Sequence, residues 1–173
     1  MKKDNWTLKI IIMAFIISFL FSLTSEMVMP KVNLITSIII LVIFILIGII
    51  FDMVGVAITT CDIKPFHSMN SKRIKYAKTG INLINNSAKV SSFCNDVIGD
   101  ICGIISGSAG VLIAATLSEK FNLNLLLTSL ITTATIAAAT IGGKAIGKQA
   151  AIKNSTSIVK TFSQIMHVFY HEK

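Results

Sequence analysis

Residues 34–51 read LITSIIILVIFILIGIIF, eighteen positions without a charge. A run of that length matches the roughly 20 apolar residues that a helix needs to cross the hydrocarbon of a bilayer. The stretch decides the fold class: an all-α integral membrane protein. The run does not end cleanly. Asp52 follows, then MVGVAITTC, apolar again, then Asp62. A helix carried over 34–60 is longer than an untilted crossing needs, and it draws Asp52 into the membrane.

Composition agrees. Of the 173 residues, 53% are hydrophobic and 14% are charged, and mean hydropathy is +0.77. A water-soluble chain of this size could not cover so much apolar surface. The length suits a single membrane domain over 1–173. Apolar runs at about 8–23, 93–117 and 125–142 add three expected crossings, giving about four. The first run follows Lys2 and Lys3, a start that a signal peptide shares. The segment after it, TSEMVMPK, lacks a small-x-small cleavage site, so a retained helix is expected. Pro30 breaks the chain before the second run. The polar section 63–92 carries Lys64, Lys72, Arg73, Lys75, Lys78 and Lys89. Its apolar residues Ile74, Ala77, Ile81, Leu83 and Ile84 recur at roughly helical spacing, as one or two amphipathic helices on the membrane surface would place them. Pro65 opens that section. Residues 143–173 read as a cytoplasmic tail with an amphipathic end.

The net charge is +8. Its basic residues gather at the N-terminus, in 64–89 and after 143, while the links 24–33 and 118–124 hold one Lys each. They flank apolar runs and form no soluble basic face, so nucleic acid is not an expected partner. The asymmetry predicts both termini on the cytoplasmic side of a bacterial cell membrane. Cys61, Cys94 and Cys102 form no CxxC pair, which argues against a disulfide framework or zinc site and leaves them as small packing residues.

Polar residues inside the apolar runs are the candidates for function. Asn95, Asp96 and Asp100 open the third run. Asp96 and Asp100 are four apart and should share a helix face, one that adjoins Gly99, Gly103 and Gly107. That small-residue stripe is a helix-packing signal, within the chain or across a homodimer. Stacked carboxylates repel unless a cation or basic group lies between them. Hard oxygen ligands of this kind suit Mg²⁺, which keeps several waters and takes one or two carboxylates. Asp52 offers a third carboxylate, on a face shared with Gly55 and Thr59, with Thr60 a weaker candidate. Bland readings stand beside these: Asp96 and Asp100 in the first turns of a helix favoured by its dipole, and Asp52 at a helix end. His167 and His171 are four apart but lack a third ligand. No nucleophile–base pair, P-loop or dinucleotide fingerprint is present, so an enzyme is not expected.

From Phe51 to about Gly107 the chain resembles the membrane domain of the CNNM/CorC group, the CorB-type magnesium transport proteins. Those domains pair an F-S-x-S-E-T-A-L-T-S type helix with a basic amphipathic section, an L-I-x-N-P-x-K-like element and a helix opening on I-G-N-N. The corresponding pieces are FDMVGVAITT, SKRIKYAKTGINLINNSAKVSS and FCNDVIGDI. The family's Glu is missing, Asp52 replaces a Ser, and Ile98-Gly99-Asp100 stands where I-G-N would. The resemblance implies a cation site between two helices of a dimer, and hence divalent-cation transport. The residues after 143 are too few for that group's CBS pair, so regulation by ATP through it is not expected. The alternative is a non-transporting scaffold or partner subunit whose Asp residues only cap helices or make salt bridges. A holin-like or peptide-exporting role has no specific support.

Overall fold

A computed structural model describes residues 6–28 and 32–169. Lys2, Lys3, the Pro30 break and His171 lie outside the described residues. The described chain is all-α, with no strand. Helices α1 (Trp6–Val28), α2 (Leu34–Thr60), α6 (Asp100–Phe121) and α7 (Leu125–Lys153) are long. Helices α3 (Lys64–Ser71), α4 (Ala77–Asn85) and α5 (Ser87–Ser92) are short, and α8 (Ser155–Phe169) closes the described chain. A π-helical segment, Phe93–Gly99, joins α5 to α6.

Three stretches are long and apolar enough to cross a membrane: Leu34–Thr60, Ser87–Phe121 and Leu125–Lys153. The uninterrupted apolar core of α1, Ile10–Thr24, is shorter. Side chains such as Phe15, Ile35, Ile131 and Ile141 are exposed. Lipid tails cover such surface at no cost, whereas water would not tolerate it. The chain is an α-helical membrane protein.

Contacts between the long helices fix their directions. Ile49 of α2 meets Gly143 of α7, and Met53 meets Gly147 one turn on. The two helices therefore run parallel. Gly48 and Gly55 of α2 meet Cys102 and Asn95 in the reverse order, so the α6 helix and its π-helical approach run antiparallel to α2. Leu41, Ala109, Ile113 and Ile136 form one shared cluster of α2, α6 and α7. Of the apolar windows, that of 87–121 is 56% buried within the chain, against 17% for α2 and 6% for α7. The α6 helix is thus the centre of the bundle. The α1 helix lies against it through Ile10, Ala14 and Ile17, facing Val97, Ile101 and Ile105.

The C-terminal ends of α2 and α7 meet the start of the π segment at one end of the bundle. A collar of α3, α4, α5 and α8 closes that end. Its core holds Ile58, Cys61, Phe66, Cys94, Ala151 and Val159. Gly80 of α4 lets the Phe66 ring and the Ser163 hydroxyl of α8 come close. The tail after 143 is therefore docked on the collar. The section 63–92 divides at Lys72–Tyr76, where Arg73 takes a left-handed φ of 58°.

Two boundaries differ from the sequence reading. The third crossing begins before 93, because α5 and the π segment lead into α6 without a break. The fourth does not stop at 142. Gly142 and Gly143 suggest a helix end, yet α7 continues to Lys153 because Gly143 and Gly147 are contact points against α2 and the intervening KAIGKQAAIK favours helix. At about 1.5 Å per residue, α2 and α7 each exceed the roughly 30 Å hydrocarbon layer.

Candidate functional site

The oxygen-bearing residues that the sequence singled out lie on α2, the π segment and the first position of α6. A π turn is uncommon, and single π turns inside α-helices occur often at functional sites. Here it spans FCNDVIG and ends at Gly99, between Asp96 and Asp100. The α-helical spacing that would stack those two carboxylates is interrupted there.

Asp52 lies on the inner face of α2, with its side chain only 5% exposed. Its Oδ2 is buried and accepts no hydrogen bond. Lys148 of α7 stands 3.6 Å from that oxygen, an ion-pair distance beyond hydrogen-bond reach. Gly55, one turn further along the same face, receives the Asn95 side chain: a Cβ at 55 would overlap the Asn95 Oδ1. That Oδ1 is likewise buried without a donor, while Nδ2 donates to the Ser91 hydroxyl at 3.4 Å. Two buried oxygens without donors, one charged and one neutral, thus lie within a turn of each other along α2, the first on α2 itself and the second reaching it at Gly55. Buried polar atoms are nearly always paired, so two such atoms at one seam need a reason.

The other candidates lie elsewhere. Asp96 is exposed and accepts a 2.7 Å hydrogen bond from the Ser92 hydroxyl. Asp100 is 66% exposed and pairs with Lys144 at 3.7 Å. The Lys144 ammonium also donates to the Gly99 carbonyl at 3.4 Å. Thr59 is exposed, and its hydroxyl donates to the Val56 carbonyl at 2.8 Å. Thr60 does the same at 2.9 Å. Both threonines thus satisfy the last turn of α2. Among the described residues no group of three His, Cys, Asp or Glu side chains is close enough to hold a metal ion. Asn95 instead reaches α2 at Gly55, one turn from Asp52. His167 lies on α8, and its expected partner His171 is outside the described residues.

The glycine stripe divides. Gly99 faces the Gly48 carbonyl and the Lys144 ammonium, whereas a Cβ at Gly103 or Gly107 would meet nothing within 4 Å. Close packing inside the chain involves Gly48, Gly55, Gly143 and Gly147, and on α6 itself Gly110 against Ile136. Sequence reasoning treated Lys144 and Lys148 as membrane-side anchors and did not pair them with the carboxylates. The signal that could have found them is the repeat Gly143-Lys144-Ala145-Ile146-Gly147-Lys148, which puts a lysine beside each close-contact glycine. A groove of about 540 Å³ between α2 and α8, lined by Ile50, Phe51, Met53, Val54, Ile158 and Phe162 among others, offers no carboxylate. The three cysteines are free and buried.

The fold and seam define a helical membrane protein with a buried acid between spanning elements. Comparison of the chain with protein-family models, with curated proteins and with solved structures finds no match.

Proposed function

We propose that the protein binds a divalent cation, Mg²⁺ by ligand chemistry, within the membrane and carries it across. The observation that supports this is the pair of donorless buried oxygens, Asp52 Oδ2 and Asn95 Oδ1. A carboxylate inside a membrane bundle is costly and tends to be retained for ion or proton handling. One carboxylate and one amide oxygen suit an ion that keeps most of its waters. Asp96 and Asp100, both exposed near the same segment, serve as outer residues that attract a cation to the seam. The Phe51–Gly107 resemblance to the CorB-type membrane domain points the same way. Transport proceeds by alternating exposure of the seam, with the collar on the cytoplasmic side of a bacterial cell membrane and both termini there. The open faces of Gly103 and Gly107 support a homodimer packed through that side of α6. No catalytic chemistry is proposed.

A second reading, a non-transporting scaffold, is favoured by one specific observation: Asp52 and Asp100 each pair with a lysine of α7. Thermal unfolding of the full-length protein in detergent separates the two. A protein that binds Mg²⁺ in its folded state gains RT ln(1 + [L]/Kd) of stability. Transport predicts a rise of the midpoint with Mg²⁺ that Asp52→Ala and Asn95→Ala abolish and Asp100→Ala largely keeps. A midpoint indifferent to Mg²⁺ in the wild type leaves the scaffold.

A further inference from the structure

We infer that Lys148 is a tethered counter-ion of the cation site, holding Asp52 while no cargo is bound and swinging out when a divalent cation arrives. The inference rests on the cation-binding reading and adds how the site selects and releases its ion. Its basis is a contrast between two lysines one turn apart on α7. Lys144 is held: its side chain is 21% exposed, it donates to the Gly99 carbonyl and it pairs with Asp100. Lys148 is half exposed, at 50%, and stands 3.6 Å from a carboxylate that is 5% exposed. No hydrogen bond joins them. A flexible four-carbon stem, half exposed and held by no hydrogen bond to its carboxylate, is free to leave.

The helices need not part for it to do so. The α7 helix is seated on α2 by Gly143 and Gly147 against Ile49 and Met53, contacts that do not involve the ion pair. Charge arithmetic then sets the selectivity. Asp52 and Lys148 sum to zero. A monovalent ion that displaces Lys148 replaces one positive charge by another and gains little. A divalent ion that displaces it gains a full extra charge against the buried carboxylate. A divalent ion bound with Lys148 still in place would face like-charge repulsion at a few ångströms. Displacement is therefore part of binding, and the tether both weakens affinity and rejects monovalent ions.

The test follows the thermal midpoint of the full-length protein in detergent against MgCl2, and separately against NaCl, with ionic strength held constant by a bulky organic salt. Lys148→Gln is expected to lower the half-saturating Mg²⁺ concentration about tenfold, within the usual range of coupling between two sites, and to make Na⁺ stabilising where it is not in the wild type. If the variant fails to fold, the wild type carries the test through its reductively ¹³C-methylated lysines, which keep their charge. The Lys148 methyl resonance, assigned by its loss in Lys148→Arg, is expected to move to the position of a solvated lysine on Mg²⁺ addition. An unchanged half-saturating concentration in Lys148→Gln, or a Lys148 resonance indifferent to Mg²⁺ when the wild-type midpoint does respond, overturns the tether and leaves the cation site standing. No response in the wild type overturns both.

Discussion

Gly55→Ala tests the seam at its narrowest point. The added Cβ would occupy the place of the Asn95 Oδ1. Forcing a methyl group into packed space typically costs about 1–3 kcal/mol. Here the obstacle is the end of a side chain that can turn aside, so the cost stays near the lower bound, about 1 kcal/mol. Replacing Gly by Ala inside a helix returns a similar amount, about 1 kcal/mol. The two nearly cancel, and the midpoint in the absence of Mg²⁺ should move by less than about 4 °C for a chain of this size. Binding should not escape so lightly. Asn95 gives up its position, and the Mg²⁺ response, followed by circular dichroism during heating, should need about tenfold more Mg²⁺. Gly142→Ala is the control, because a Cβ there meets nothing within 4 Å; it should raise the midpoint slightly and leave the Mg²⁺ response intact. A Gly55→Ala protein that binds Mg²⁺ as the wild type does would refute the role given to Asn95. A midpoint loss well beyond 4 °C would refute the reasoning that only a side chain blocks the site.

Two further outcomes are expected. Gly103→Leu and Gly107→Leu should shift the protein from dimer to monomer in size-exclusion chromatography with light scattering, without lowering the midpoint of the monomer, since a Cβ at either position meets nothing within 4 Å; a dimer that survives both substitutions places the interface elsewhere. Burial pushes the Cys61 thiol above its ordinary range, helped by the Asp62 charge and opposed by the Thr156 and Ser155 side chains. A raised pKa means less thiolate at a given pH, so alkylation at pH 8 should be markedly slower in the folded protein than in denaturant; equal rates would contradict that burial.

The fold was legible where its signals are local. The uncharged run at 34–51 and its apolar continuation fix α2 at Leu34–Thr60, and the break in charge at 118–124 separates α6 from α7. The end of α7 was not legible. Gly143 and Gly147 fit a helix cap as well as a packing stripe, and it is the Ile49 and Met53 side chains of another helix that make them a packing surface. The π segment was hidden for a related reason: a widened turn shifts the face presented by Asp96 and Asp100 without altering composition. At the seam, the shared face of Asp52 and Gly55 was legible from helical spacing, and Asn95 of the π segment meets it at Gly55. Their lysine partners were missed because pairing over nearly a hundred residues leaves no periodic trace in the sequence.

The central claim is that a cation crosses through the α2–π seam. Reconstituting the purified protein into liposomes loaded with a Mg²⁺-sensitive dye, and imposing a Mg²⁺ gradient, tests it directly. The account predicts dye-reported Mg²⁺ entry above that of empty liposomes, lost in Asp52→Asn and retained in Asp96→Asn, whose carboxylate is exposed and bound to Ser92. Entry no faster than into empty liposomes, or entry undiminished in Asp52→Asn, would contradict it.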